Sequence, residues 1–258
     1  MNNEYDVIAE VYDSEYADFQ DDEPMYAQLA ENAHGPILEL GCGAGRALLP
    51  LAQNGYTCTG VDSSAGMLDI FQKRLAAEPM ETQQRVKLIC SDMIAPPASD
   101  ETFALCYIAL GALHHIADYR DRRAIFASAR GVMRTGGTLA LDISQNEWRR
   151  MNLITESGAL THLHTWEDEH LGVISHFISA AADEVPNTRK ITHLYDIVQK
   201  DGLVRRITTE TLFADISLPE IVWALELTGW RFRNVFGDYE FGEWSEQSPR
   251  RIITAQAV

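Results

Sequence analysis

Closely spaced cysteines are missing from this chain. Its four, Cys42, Cys58, Cys90 and Cys106, stand too far apart for a structural zinc knuckle, and each lies in or beside an apolar strand-like run. They read as buried, reduced thiols. Positive charge is scarce as well: 21 Lys and Arg face 38 Asp and Glu, a formal net charge of −17. A field of that sign repels polyanions, so nucleic acid is not the expected partner. Arg149-Arg150, Arg205-Arg206 and Arg250-Arg251 are isolated doublets, not a basic patch. No apolar run has the length of a bilayer span, and the polar, acidic opening MNNEYDVIAEVYD is not a signal peptide. The expectation is a cytoplasmic protein without a membrane partner. A Walker string G-x-x-x-x-G-K-[ST] is absent, as are internal repeats and low-complexity tracts.

What is present has the composition of a folded globular chain, with 46% hydrophobic and 23% charged residues in a length of 258. Short β-rich runs alternate with helical stretches from residue 36 to 143. Strands are expected at Pro36–Leu40, Thr57–Val61, Val86–Cys90, Phe103–Leu110 and Thr138–Ile143. Helices are expected at Arg46–Asn54, Ala65–Ala77 and Asp121–Met133, with breaks at Asn54-Gly55, Ala95-Pro96-Pro97 and Thr135-Gly136-Gly137. Continuous apolar strands separated by helices predict a doubly wound, parallel α/β sheet.

The pattern then changes. Leu160–Trp166, Val173–Ala180, Arg189–Gln199 and Leu203–Phe213 alternate polar and apolar residues, and Asp201-Gly202 is a hairpin signal. These four read as an antiparallel β insertion. A helix follows near Pro219 and stops at Gly229, and strands at Trp230–Phe236 and Arg250–Gln256 close the chain. The expected units are an N-terminal helical lid (1–35), a core (36–145), the insertion (146–216) and a return to the core sheet (217–258). Tyr5, Ile8, Tyr12, Tyr16 and Phe19 recur at helical spacing, consistent with an amphipathic helix on the body or an aromatic lid over a ligand.

The segment Glu39-Leu40-Gly41-Cys42-Gly43-Ala44-Gly45-Arg46 follows the first strand. A dinucleotide fingerprint would place glycine where Arg46 stands. Glu39 is a poor neighbour for pyrophosphate but suits a ligand that is cationic there, and Arg46 could fork onto a carboxylate. Asp62 ends the second strand about twenty residues on, where a ribose diol is gripped in wound nucleoside sites. Asp92 ends the third. Three successive acidic strand ends point to a nucleoside ligand.

ELGCGAGR, GVDSSAGML, CSDM, YIALGALHHI and MRTGGTLALDI, in this order, resemble the class I S-adenosylmethionine-dependent methyltransferases. The insertion before the last helix is similar to that of sugar-amine and, more loosely, glycine-type N-methyltransferases. The resemblance implies a Rossmann-like sheet of seven strands, six parallel and the last inserted antiparallel. It implies S-adenosylmethionine as cofactor and S-adenosylhomocysteine as product. On this resemblance Glu39, Gly41, Gly43 and Arg46 surround the methionine part, Asp62 takes the ribose, and Ser63 and Met67 flank sugar and adenine. Asp92 accepts from the adenine amino group, Met93 packs on the ring, and Ile108 with Ala109 completes the wall.

A sulfonium methyl is already activated, so the enzyme need only align an acceptor lone pair in a dry site. His114 and His115 follow the fourth strand and are the candidate bases, with Tyr12 closing the site and orienting the acceptor. His162, His164, His170, His176 and His193 are scattered over alternating strands and read as ordinary histidines, so no metal is expected. Asp21-Asp22-Glu23 reads as a solvated face. The expected acceptor is a small molecule, preferably an amine, with the insertion as acceptor cap and as contact for a homodimer. O- or C-methylation of a natural-product intermediate and a non-catalytic cofactor sensor stay open as alternatives.

Overall fold

Strands β1 (Ile37–Leu40), β2 (Cys58–Asp62), β3 (Val86–Cys90), β4 (Phe103–Ile108) and β5 (Met133–Ser144) pair in parallel, as their unbroken apolar character predicts. The computed structural model of the chain describes residues 4–94 and 102–258, so the expected break at Ala95-Pro96-Pro97 lies outside the described residues. Strands β10 (Trp230–Phe236) and β11 (Arg250–Ala257) extend the sheet beyond β5, giving the order β3-β2-β1-β4-β5-β11-β10. β11 runs antiparallel to both its neighbours. The seven-stranded sheet with one reversed strand is therefore present.

All residues of β1 and β4 are buried, because helices cover both faces. On one face α2 (Glu23–Ala33), α3 (Leu48–Gln53) and α4 (Ala65–Ala77) contribute Met25, Leu48 and Phe71 to a core around Leu105 and Tyr107. On the other, α6 (Tyr119–Val132) and α8 (Leu218–Leu227) contribute Phe126 and Leu225 around Leu139 and Trp230. A short helix, α5 (Met80–Gln83), precedes β3. The thiols of Cys42, Cys58 and Cys106 are buried as expected, but Cys90, at the end of β3, is exposed.

The insertion is a second sheet of four antiparallel strands: β6 (Thr161–Asp168), β7 (Gly172–Ala182), β8 (Thr188–Val198) and β9 (Val204–Ala214). Before it lies α7 (Gln145–Ser157), which the sequence reading left without an element. The reason is its amphipathicity: the helix is largely polar and brings Met151 and Ile154 to the small core of the second sheet, too few for a clear helical period. Its ends are nevertheless marked, by Ser144 accepting from the Glu147 amide at 3.3 Å and by left-handed Gly158.

α1 (Glu4–Glu15) bridges the two sheets. Ile8 and Val11 pack with Ile174, Tyr195 and Ile197 of the second sheet, while Ala9 meets Ala44 and Met67 of the first unit. His114 makes another joint. It sits in a 3-10 turn (Ala112–His115), fully buried and stacked on Phe213 with ring centroids 4.2 Å apart. Its Nδ1–H donates to the Ala214 carbonyl at 2.7 Å, and its Nε2 accepts from the Ser144 amide at 3.1 Å. Burial pushes its pKa down to about 3, against the Ala214 hydrogen bond. The expected base role does not suit His114, because neither ring nitrogen is free and the side chain does not border the cavity described below. His114→Ala should leave two buried backbone groups unpaired and cost at least about 2 kcal/mol in denaturant unfolding.

Candidate active site

β1 lies where the strand order turns back on itself, between β2 and β4, so the loop after it opens into the crevice at the carboxyl edge. Gly41, Gly43 and Gly45 all take positive φ, at 78°, 51° and 83°. At Gly45 a Cβ would stand 2.4 Å from the Phe71 ring, so this glycine serves packing. At Gly43 a Cβ would meet the Met67 methyl at 3.0 Å on the cavity wall. The loop is braced by Asp62, whose carboxylate accepts from the Gly43 amide and from the Ser64 amide, each at 2.8 Å. Ser64 caps α4 and donates its hydroxyl to Asp6 of α1 at 2.6 Å.

Around the loop is a cavity of about 590 Å³, enough for a nucleoside and a small second molecule. Glu39, Gly41, Gly43 and Arg46 border it from the first loop. Asp62, Ser63 and Met67 border it from the second, and Met93 and Ala109 from the next two. Tyr12 and His115 complete the set that sequence reasoning brought together.

Three expected contacts are placed differently. Ile108 is buried in the apolar core behind the sheet edge, leaving Ala109 on the wall. Asp92 is exposed and outside the cavity lining; its carboxylate accepts from the Ile94 amide at 2.9 Å. Arg46 reaches the wall, but its fork is engaged. It donates to both oxygens of Asp22 at 2.6 and 2.7 Å and to the Phe19 carbonyl at 3.2 Å, with its guanidinium over the Phe19 ring. Asp22, expected on a solvated face, is fully buried by this pairing.

Glu39 is the opposite case. It is 2% exposed, and Tyr107 donates to its Oε2 at 3.1 Å. Among the described residues its Oε1 accepts no hydrogen bond. Burial holds its carboxyl well above the usual range, although Arg46 and the Tyr107 hydroxyl pull the other way.

His115 reaches the cavity wall. Its Nδ1–H donates to the Leu212 carbonyl at 3.0 Å, which leaves Nε2 to accept from the Tyr5 hydroxyl at 2.9 Å. Burial lowers its pKa, so the ring is neutral. Tyr5 borders the cavity, and burial keeps its hydroxyl protonated. Sequence reasoning gave Tyr5 no catalytic part and passed over Asp142 altogether. Asp142 is fully buried on β5, accepts from the Leu110 amide at 3.0 Å and from the Tyr239 hydroxyl at 2.9 Å, and holds Leu110 at φ 47° on the wall. Its signal is an acid inside the apolar run Leu139–Ile143.

Residues 37–137 match the family model described as a methyltransferase domain. The chain carries a methyltransferase domain. Methyltransferase GfsG of Streptomyces halstedii is 29% identical over 120 residues, 46% of this chain and 41% of that protein. The alignments span between 41% and 59% of the length of the curated relatives matched. Among solved structures, the CcbJ methyltransferase of Streptomyces caelestis has a TM-score of 0.79 at 20% identity, over 100% of this chain and 98% of that one. The sugar N-methyltransferase KedS8 of a Streptoalloteichus species has 0.73 at 16%, over 100% and 94%. At such identities the likeness is one of fold, and it extends through the second sheet, which lies outside the matched domain.

Asp22→Ala would leave the Arg46 guanidinium without its carboxylate and should destabilise the fold by about 3 kcal/mol. A shift of the urea midpoint at unchanged slope would measure it.

Proposed function

We propose that the chain transfers a methyl group from S-adenosylmethionine to the nitrogen of a small amine, releasing S-adenosylhomocysteine. The observation that carries the reading is Glu39, a buried carboxylate on the wall with one oxygen unpartnered among the described residues. A group with N–H donors and positive charge is what such a carboxylate lacks. The amino group of the cofactor's methionine part supplies both. Asp62 keeps acceptor capacity for a ribose hydroxyl beyond the Gly43, Ser63 and Ser64 amides, and the Met67 and Met93 side chains offer apolar surface to a base.

The wall also favours a cationic second substrate. Besides Glu39, four acids border the cavity, Glu4, Asp13, Glu23 and Asp62, against Arg46 and Arg74. Both arginines are paired, Arg74 with Asp13 at 2.8 Å. The resulting field attracts an amine. The name of the sugar N-methyltransferase that shares this fold agrees with that choice.

Bound in the cavity, S-adenosylmethionine supplies a methyl group activated for direct displacement. The chain's part is to align the acceptor, exclude water and handle one proton. Tyr12 and Tyr16 pack with tilted rings, centroids 4.7 Å apart, and form an aromatic wall of the cavity with Tyr5. An amine must be neutral when it attacks, so a proton leaves it before transfer or leaves the methylated product afterwards. Tyr5 can accept that proton while passing its own to His115 Nε2.

Two experiments test the reading. Glu39 in the free protein holds its proton to unusually high pH, and a bound ammonium would favour the ionised form. Binding therefore releases protons, and S-adenosylhomocysteine affinity should rise with pH until it passes the raised pKa. Calorimetry in two buffers of different ionisation enthalpy reads the release. Glu39→Gln should abolish it and weaken binding without lowering the melting temperature, and unchanged affinity would overturn the assignment. With labelled-methyl cofactor and a pool of amines, His115→Ala should lower turnover by about a hundredfold or more at unaltered cofactor affinity. Binding without label transfer to any amine by the wild type would favour a sensor.

A further inference from the structure

The histidines of the second sheet are not scattered in space. Glu15, the last residue of α1, has its Oε1 3.0 Å from His164 Nε2 on β6 and 2.9 Å from His176 Nδ1 on β7. These three atoms all lie within 4.8 Å of one another. We propose that Glu15, His164 and His176 form a binding site for a divalent transition metal of the zinc type, joining the end of α1 to the second sheet.

Two imidazoles and a carboxylate are a donor set suited to zinc, which binds each at about 2.0–2.2 Å and takes a fourth, open position. Ligands of a tetrahedral zinc stand about 3.3 Å apart on that bond length. The carboxylate and the two rings therefore need only separate by a few tenths of an ångström while the rings close on each other. Burial suits such a centre: the Glu15 and His176 side chains are 6% and 5% exposed, whereas His164 is 47% exposed and leaves a path for the ion and a water.

Outer partners hold the ligands. Tyr195 donates to Glu15 Oε2 at 3.3 Å and stacks on the His176 ring at 4.1 Å. His176 Nε2 lies 3.0 Å from His193 Nδ1, and His193 Nε2 lies 3.0 Å from Thr211 Oγ1. This row has two proton arrangements. In one, His176 Nδ1–H donates to Glu15 and each ring accepts from the next. In the other, His176 Nε2–H donates to His193 Nδ1, and His193 Nε2–H donates to Thr211. The second exposes a lone pair at His176 Nδ1 with the bonds to His193 and Thr211 kept and no net proton released; the hydrogen bond to Glu15 is given up, and the metal takes its place between the two. Half-exposed His164 reaches the same state by changing tautomer in water. A ring nitrogen bonded to a fixed partner opposite the metal is what orients a histidine ligand. His162 and His170 are outside the group; His162 Nε2 pairs with Thr165 Oγ1 at 2.8 Å.

Tag-free protein stripped with a chelator tests the site, by zinc titration in a calorimeter and by metal analysis after dialysis. The wild type should take up about one zinc per chain and melt at higher temperature with zinc. Glu15→Gln and His164→Ala should lose stoichiometric uptake while melting like the wild type in chelator. His193→Ala, which removes only an outer partner, should weaken zinc by about ten- to a hundredfold. Magnesium should not compete, since two ligands are nitrogens. If the wild type binds no more zinc than the Glu15→Gln/His164→Ala double variant, the proposal falls and the cluster is a hydrogen-bonded strut. The readout needs no methyl donor, so it is independent of the proposed transferase activity.

Discussion

The carboxylate of Asp62 is the fixed point of the site. By accepting from the Gly43 and Ser64 amides it locks the loop after β1 to the loop after β2. The Gly41 and Cys42 amides add backbone bonds to the Val61 carbonyl, and the lock is needed because glycines at positive φ are the residues that lose most freedom on being ordered. Ser64 extends the lock: the same side chain caps α4 and grips Asp6. The cavity floor and the helix that roofs it thus share one continuous line of hydrogen bonds. A change at Asp62 would disturb floor and roof together.

The two buried acids near the loop show how differently one type of charge can be used. Asp22 has both oxygens met by Arg46, and the pair fixes the start of α2 against the glycine loop. Glu39 has one neutral donor and an oxygen left over. Its raised pKa means that the folded protein holds a proton there that the unfolded chain would release, so ionising Glu39 in the fold is unfavourable and stability on its account falls as pH rises above the ordinary carboxylate range. Residues that cost stability in the empty protein and gain a partner in the complex mark binding sites. Asp22 does not have that character, and Glu39 does.

Much of this was legible in the residues because local chemistry and tertiary role agree there. The apolar runs of β1, β4 and β5 have no reading except a covered parallel sheet, and the alternation in β6–β9 placed the second sheet within two residues at either end of each strand. Gly41, Gly43 and Asp62 sit where strand-end loops of a wound fold must carry ligand-facing groups. What was not legible depends on partners distant in sequence. Nothing near Asp22 says that Arg46 will bury it, and nothing in His114-His115 says that consecutive rings diverge, one to the Ala214 carbonyl and the core, the other to Leu212 and Tyr5. A polar helix such as α7 hides because its burial is small, and the histidine row hides because alternation along three strands looks like scatter until β6, β7 and β8 are laid side by side.

α1 is held at both ends by groups that belong to different units. Asp6 binds Ser64 and Gly66 of the domain that forms the cavity floor, and Ser14 and Glu15 bind Trp166, Asp168, His164 and His176 of the second sheet. Between these anchors the helix presents Tyr5 and Tyr12 to the cavity. A strap fixed this way cannot leave the site without breaking one set of bonds, and the two sets differ in character. At the Asp6 end a carboxylate accepts from the Ser64 hydroxyl and the Gly66 amide. The Glu15 end is a carboxylate that faces the imidazoles of His164 and His176. Moving Tyr5 and Tyr12 away from the cavity would therefore mean giving up contacts to one unit or to the other.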